Sequence, residues 1–113
     1  MKLEFEKQMK MASDLLSYCH LHGATEYHLD IKHKNNAAVF VVKASPATLS
    51  EESMLKLQKY LSAPRQKEME QDFWELIGNS EEYCEMTLIG MMCDAAEVVL
   101  RENELTITII RND

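Results

Sequence analysis

Several residues that could do chemistry stand close together in the segment SDLLSYCHLHGATEYHLDI, from Ser13 to Ile31. Cys19 and His22 are three positions apart, so a helix would present both to one zinc ion. No second close-spaced pair accompanies them, and Cys19 also belongs to an apolar stripe, which favours a packing role for its thiol. The sequence therefore predicts no metal centre.

Asp14 is the other candidate, because a carboxylate beside an imidazole can act as a general base. His20 and His22 follow it by six and eight positions. Such spacings do not place two side chains on the same helical turn. From the residues alone, Asp14 is interpreted as a charge on a helix surface.

The elements that would hold these residues follow from the spacing of apolar side chains. From Phe5 to Cys19 apolar residues recur every three or four positions, which predicts a helix that ends at Gly23. Residues 27–33 alternate as a half-buried strand does, and the apolar run 37–42 supplies most of a second strand over residues 37–43. Asn35-Asn36 between them suits a tight turn, so the first half of the chain is predicted to be a helix and a β-hairpin.

The second half of the chain is predicted to be mostly helical. Pro46 ends the hairpin, and Thr48 with Glu51 has the spacing of a capping box at the start of a second helix. A long helix is predicted from about residue 82 to residue 100, with Met86, Ile89, Met92, Ala96 and Val99 on one face. A final strand follows over residues 105–110.

Together these elements predict an α+β fold. Its helices would cover one face of a small mixed sheet, giving a two-layer sandwich. A chain of 113 residues with 46% hydrophobic residues suits one domain over residues 1–113. No internal repeat and no linker is visible in the sequence.

The element order and the opening helix resemble the histidine-kinase-type ATPase domain, or Bergerat fold, shared by sensor histidine kinases and anti-sigma-factor kinases. In that family the first helix carries an acidic residue and, four positions later, an asparagine that holds magnesium. Asp14 matches the acidic position and Tyr18 stands at the asparagine position. In the family, an aspartate after the hairpin accepts a hydrogen bond from the adenine amino group. Ala44 or Ser45 falls at that position in this chain. The resemblance thus implies Asp14, Tyr18 and Ser45 as equivalents of nucleotide-binding residues.

Departures from the family pattern predict that the nucleotide site is degraded. The phenol of Tyr18 is bulky and a weak ligand for magnesium, whereas an amide oxygen is a hard one. Neither Ala44 nor Ser45 carries a carboxylate. The family also uses neighbouring glycines to approach phosphates, and this chain has three isolated ones, at positions 23, 78 and 90. No cofactor is therefore expected. ATP and magnesium would bind only under the alternative, in which the site still functions.

Charge and composition restrict the partners. A formal charge of −7, without a strong basic cluster, disfavours binding to nucleic acid and to anionic membranes. No apolar run is long enough to span a bilayer, and three cysteines without a pairing pattern are interpreted as reduced thiols. The cytoplasm is the expected compartment.

A homodimer is expected, because a sheet of three predicted strands is narrow and has unpaired edges. One candidate contact is the edge of the strand over residues 105–110. The other is Phe73 or Trp74, since two adjacent large aromatics on a helix cannot both point inward. A signalling protein is a further candidate partner.

Two functions stay open at this level. The first is a regulatory or protein-interaction module in signalling that resembles a sensor histidine kinase domain but has a degraded ATP site. The alternative is a divergent, functional ATP-binding kinase domain of the anti-sigma-factor type, in which Asp14 would be the general base. The sequence thus leaves open whether the chain is an enzyme.

Overall fold

A computed structural model describes residues 2–62, 65 and 85–112 of the chain. Phe73 and Trp74 lie outside these ranges, as does Gly78. The helices and strands are, in chain order, α1 Lys2–Leu21, β1 Glu26–Lys34, β2 Ala37–Ser45, α2 Glu51–Leu61, α3 Glu85–Met91, β3 Ala95–Arg101 and β4 Glu104–Asn112. Among the helices within these ranges, none is long and apolar enough to cross a membrane.

The four described strands form one sheet in the order β1-β2-β4-β3. Helix α1 contacts β2, α2 contacts β3, and α3 contacts both other helices. This arrangement confirms the predicted α+β fold, with helices packed on the sheet. The predicted mixed sheet is wrong in one respect, because all three strand pairings are antiparallel.

Two hairpins build the sheet, and each is closed by a two-residue turn. Asn35 and Asn36 have φ angles of 49° and 63°, which confirms the predicted turn. Glu102 and Asn103 have φ angles of 48° and 66°, so a second turn of the same kind joins β3 to β4. Turns with two left-handed residues match the natural twist of antiparallel strands and fix their register.

The predicted long helix over residues 82–100 is wrong in its second half. Helix α3 ends at Met91, and residues Ala95–Arg101 form strand β3. The helical spacing of apolar residues continues through Ala96 to Val99, but the β-branched pair Val98-Val99 favours a strand, and pairing with β4 forms one. The sheet therefore has four described strands where three were predicted.

The position of β4 also overturns one predicted dimer contact. Strand β4 is hydrogen-bonded to β2 on one side and to β3 on the other. Residues 105–110 therefore have no free edge for a second copy to pair with. The outer strands of the described sheet are β1 and β3.

The same sequence of elements occurs twice along the chain. A helix leads into a hairpin in α1-β1-β2 and again in α3-β3-β4. The second strands of the two hairpins, β2 and β4, pair at the centre of the sheet. The fold thus contains a topological repeat, although none is visible in the residues.

The core lies between the sheet and the helices. Alternate residues of β2 and β4 point into it, and α1 adds one buried stripe. Buried members of this core include Met11, Leu15, Cys19, Ala38, Phe40, Val42, Leu57, Ile89, Met92, Leu105, Ile107 and Ile109. Phe5, predicted to belong to the same stripe of α1, is 52% exposed.

Helix α2 begins with a side-chain cap, as predicted, but the capping residue is different. The hydroxyl of Ser50 accepts a hydrogen bond of 3.1 Å from the backbone N–H of Ser53. The predicted cap Thr48 lies two residues before Ser50, and Glu51, predicted as the third helical residue, is the first. A serine cap satisfies an N–H group that the helix itself leaves unpaired.

A buried arginine holds three parts of the fold together. The side chain of Arg111, in β4, is 2% exposed and donates bonds of 2.7 and 3.0 Å to the two carboxylate oxygens of Glu4 in α1. Its third nitrogen donates to the backbone carbonyl of Met92, just after α3, at 2.6 Å. This two-pronged geometry matches a guanidinium to a carboxylate and adds directionality to the charge attraction.

Acid is expected to weaken this contact. The hydrogen bond from Arg111 holds the pKa of Glu4 below its ordinary value of 4.5. A carboxyl whose pKa is lowered by folding stabilises the fold above its unfolded value, and that stabilisation is lost as the pH falls through the folded value. We expect the stability difference between wild type and Glu4→Gln to be full at pH 7 and to shrink below about pH 4.5. Urea unfolding from pH 7 to pH 3 measures it, and a difference independent of pH would contradict this role of Glu4.

Candidate functional site

Helix α1 places Asp14 and Tyr18 on neighbouring turns of one side. Residues four apart on a helix lie one above the other. Asp14 is 9% exposed and Tyr18 is 6% exposed, so both lie within the packed layer of the protein. The interpretation of Asp14 as a surface charge is therefore wrong. The structure does bring these two predicted site residues together.

The side chain of Tyr18 is buried and packs beside His22. Its ring lies 4.5 Å from the ring of His22, measured between centroids. Burial, followed by the neighbouring Cys19 thiol and Tyr60 phenol, raises the pKa of Tyr18 to about 12. The hydroxyl therefore stays neutral at physiological pH, and a neutral phenol is a poor ligand for a hard cation.

Ser45 lies on the other face of the sheet. Successive residues of a strand point to opposite faces, so Ala44 is buried under the helices while Ser45 faces away from them. A depression lined by Ser45, Arg101, Glu102 and Glu104 marks its surroundings. The three predicted nucleotide-binding residues therefore do not form one site, and Ala44, the other predicted candidate, contributes only a methyl group to the core.

The two described glycines serve the fold and are not arranged to bind phosphate. Gly23 has a φ of +94° and ends the turn after α1, as predicted. Gly90 lies in α3 against α2, where an added Cβ would overlap the carbonyl oxygen of Tyr60 and stand 3.1 Å from the Cα of Leu61. The absence of a side chain at this position is what lets the two helices approach so closely.

Three of the four histidines in the described ranges, His20, His22 and His33, make side-chain contacts, and His28 is exposed on β1. The ring of His20 is 2.9 Å from the hydroxyl of Tyr27, and the ring of His33 is 2.9 Å from the side-chain oxygen of Gln8. Burial raises the pKa of the Cys19 thiol to about 11, so this sulfur is protonated and binds metals weakly. In the part of the chain that the structure describes, no group of three possible ligands comes together.

The sheet face away from the helices is mixed in character. Its centre holds small and aliphatic side chains of β2 and β4, among them Val39, Val41, Thr106, Thr108 and Ile110. Charged side chains surround them, and one depression is lined by His28, Leu29, Asp30, Val41, Lys43 and Glu104. These groups lie on an open surface, which suits contact with a protein better than chemistry on a small molecule.

Strand β1 is the most exposed part of the sheet. Eight of its nine residues are exposed, although they alternate apolar and polar as predicted. Leu29 is 41% exposed and Tyr27 is 39% exposed, yet both face the side on which the helices pack. The helix layer covers the neighbouring strand β2 and leaves this side of β1 partly open.

Helix α1 runs along β1 in the opposite direction. His20 meets Tyr27 near one end, and Gln8 meets His33 near the other. Between these contacts lie Leu16 of α1 and Ile31 of β1, both partly buried against the core. We call Leu16, Tyr27, Leu29 and Ile31 the edge patch. The sequence identified the alternation in β1 but could not show that this apolar side is left uncovered.

Comparison with known protein families and with curated proteins gave no match for this chain.

Proposed function

We propose that this chain is a non-catalytic protein-interaction module in signalling that resembles a histidine-kinase-type ATPase domain in its opening helix and hairpin, with a nucleotide position closed by its own side chains. The proposal keeps the resemblance drawn from the opening helix and hairpin. The proposed compartment is the cytoplasm. Among the described residues, Cys19 and Cys93 are buried free thiols, which suits a reducing compartment.

The observation that carries the proposal is the burial of Tyr18. An asparagine that holds magnesium must reach an open cleft, whereas Tyr18 is 6% exposed and packs within the core. On this proposal, a ring packed in this way leaves no open space beside it for a metal and a phosphate. Ser45 lies on the far face of the sheet, so it cannot contribute to the same pocket.

The exposed surfaces support contact with proteins. The edge patch places partly exposed apolar side chains beside a strand whose outer edge is unpaired among the described residues. Such a combination provides both backbone hydrogen-bonding groups and apolar area, the two elements of recognition by strand addition.

Titration with Mg-ATP tests the nucleotide part of the proposal. We expect millimolar Mg-ATP to stabilise the protein by less than about 0.1 kcal/mol, which is the mass-action limit for a ligand at a tenth of its dissociation constant or below. Calorimetry and thermal melting measure this. Micromolar binding would contradict the proposal and favour the alternative, a functional kinase domain of the anti-sigma-factor type.

Replacing Tyr18 by asparagine tests whether the family residue restores the site. We expect Tyr18→Asn to lose about 3 kcal/mol of stability, because it leaves a cavity and a buried amide, and to gain no affinity for Mg-ATP. Tyr18→Phe is the matched control, since it keeps the ring and should retain most of the stability. Urea unfolding gives the stabilities, and tight nucleotide binding by Tyr18→Asn would overturn the assignment.

A further inference from the structure

The outer edge of β1 is defined by the turn that closes its hairpin. A two-residue turn is flanked by a hydrogen-bonded pair, which here is Lys34 and Ala37. Counting back along β1, the even-numbered residues bond to β2 and the odd-numbered ones direct their N–H and C=O groups outward. Tyr27, Leu29 and Ile31 are therefore the residues whose backbone groups face outward, and no described strand pairs with them.

The side chains of β1 separate by face in the same way. The odd-numbered residues point to the helix side and include the three β1 members of the edge patch. The even-numbered residues point to the open face, where Glu26, His28, Asp30 and Lys32 alternate acidic and basic side chains. All four are exposed, and Lys32 Nζ lies 3.7 Å from Asp30 Oδ2 within the strand. Pairing with a partner would share or replace this solvent-exposed contact.

We propose that the outer edge of β1 pairs with the same strand of a second copy of this chain, in an antiparallel register centred on Leu29. The two-fold axis then passes between the two Leu29 residues. Tyr27 of each copy stands opposite Ile31 of the other, and about six backbone hydrogen bonds form between the strands. The result is one continuous antiparallel sheet of both copies, with all helices on one face.

Charge complementarity selects this register. With Leu29 at the centre, Glu26 stands opposite Lys32 of the second copy and His28 stands opposite Asp30 of the second copy, each pair occurring twice. Opposite charges directly across two strands stabilise their pairing, and like charges oppose it. A register centred on Asp30 would place two carboxylates against each other. A register centred on Ile31 would also pair Asp30 with Lys32, but it would place His28 against Lys34 and Glu26 against Asn36. It therefore offers one kind of complementary pair where the Leu29-centred register offers two.

The exposed apolar side chains of β1 also favour a second copy of this chain as the partner. Leu29 and Tyr27 are 41% and 39% exposed in the single chain, and both lie on the helix side of the sheet. A two-fold axis at Leu29 would bring the edge patches of both copies together and cover them. The other outer strand, β3, offers no such match, because Glu97 would stand opposite Val99 if β3 paired with itself about Val98.

The dimer gives the proposed interaction module a partner, namely a second copy of the chain. It rests on the proposed function only for the role in protein contact. The two fail separately. Tight binding of Mg-ATP would overturn the proposed function and leave the dimer. A chain that is monomeric at high concentration would overturn the dimer and leave the closed nucleotide position.

Analytical ultracentrifugation of the full chain tests the dimer. We expect a species of twice the 13.1 kDa chain mass at micromolar concentration. Leu29→Lys should weaken the dimer more than tenfold, because it places two ammonium groups against each other at the axis. Leu55→Lys is the matched control, since Leu55 is 67% exposed on α2 and lies away from β1. A monomeric wild type, or a Leu29→Lys dimer as tight as the control, would overturn the proposal.

Charge exchange tests the register even if Leu29→Lys is poorly folded. Glu26→Lys and Lys32→Glu should each weaken self-association roughly tenfold, because each places like charges opposite one another twice. Mixing the two variants should restore a heterodimer with wild-type affinity, since every pair is then complementary. A mixture that associates no better than either variant alone would show the register to be wrong.

Cysteine cross-linking reads the register directly. In a Cys84→Ser background, Leu29→Cys should form an intermolecular disulfide under mild oxidation, because directly opposed residues of an antiparallel hydrogen-bonded pair have Cα atoms about 5.5 Å apart. Asp30→Cys and Ile31→Cys report the two competing registers and should cross-link several-fold more slowly. Faster cross-linking at either of those positions would overturn the Leu29-centred pairing.

Discussion

Gly90→Ala is expected to destabilise the protein by about 3 kcal/mol, even though alanine is the better helix former by about 1 kcal/mol. A Cβ atom at this position would overlap the carbonyl oxygen of Tyr60 and would stand 3.1 and 3.2 Å from backbone atoms of Leu61. These are backbone atoms of another helix, so no side chain can rotate away to make room. Relief requires α3 to move away from α2, and that movement opens the core around Ile89 and Met92.

Urea unfolding of wild type and variant measures this loss. Gly23→Ala is the matched control, because Gly23 has nothing within 4 Å of an added Cβ and its φ of +94° makes the substitution purely conformational. We expect that control to lose about 1 kcal/mol. A Gly90→Ala variant at least as stable as wild type would show that α2 and α3 do not pack as described.

Arg111→Met is expected to lose about 3 kcal/mol, the loss typical of removing one partner from a buried ion pair. Arg111 is 2% exposed and contacts Glu4 at 2.7 Å, so methionine removes the counter-charge from a carboxylate that is itself 33% exposed. It also removes the donor to the backbone carbonyl of Met92. The start of α1 and the end of α3 would both lose their link to β4.

A double-mutant cycle separates the ion pair from side-chain packing. Arg111→Lys keeps a positive charge but loses the two-pronged contact. We therefore expect its free energy of unfolding to lie between those of wild type and Arg111→Met. Glu4→Met combined with Arg111→Met should recover part of the stability, because it leaves no unpaired charge. Strictly additive losses for the two single changes would contradict a coupled pair.

The local elements of the first half of the chain were predictable because they depend on near neighbours. The apolar spacing from Phe5 to Cys19 predicted α1, and the adjacent asparagines predicted a turn with two left-handed residues. Pro46 ended β2 as expected. Each of these features depends on interactions within a few residues, which the sequence states directly.

The second hairpin could not be found from periodicity in the same way. Ala96 and Val99 continue a helical spacing from Met92, so a helix and a strand compete for the same segment. The Glu102-Asn103 turn has one asparagine where Asn35-Asn36 has two, and glutamate rarely adopts a positive φ, so its signal is weaker. Pairing with β4 decides the competition in favour of a strand, and that pairing is a contact between segments that only the fold brings together.

For the candidate site, too, the local spacing was predictable and the burial was not. The sequence placed Asp14 and Tyr18 on one side of a helix, because residues four apart share a side whatever surrounds them. It could not show that both are buried, nor that Ser45 points to the opposite face of the sheet. Those properties depend on which layer covers each face of the strands.

What the sequence determined by itself is therefore the set of local elements: α1, the first hairpin, and β4 as a strand. What the tertiary structure decided is which of them are neighbours: β4 at the centre of the sheet, β1 at its edge, Gly90 against α2, and Arg111 beneath α1. The physical reason is range. Backbone preferences and apolar spacing act over a few residues, whereas a free strand edge, a buried charge or a close helix contact exists only after segments far apart in the chain have packed together.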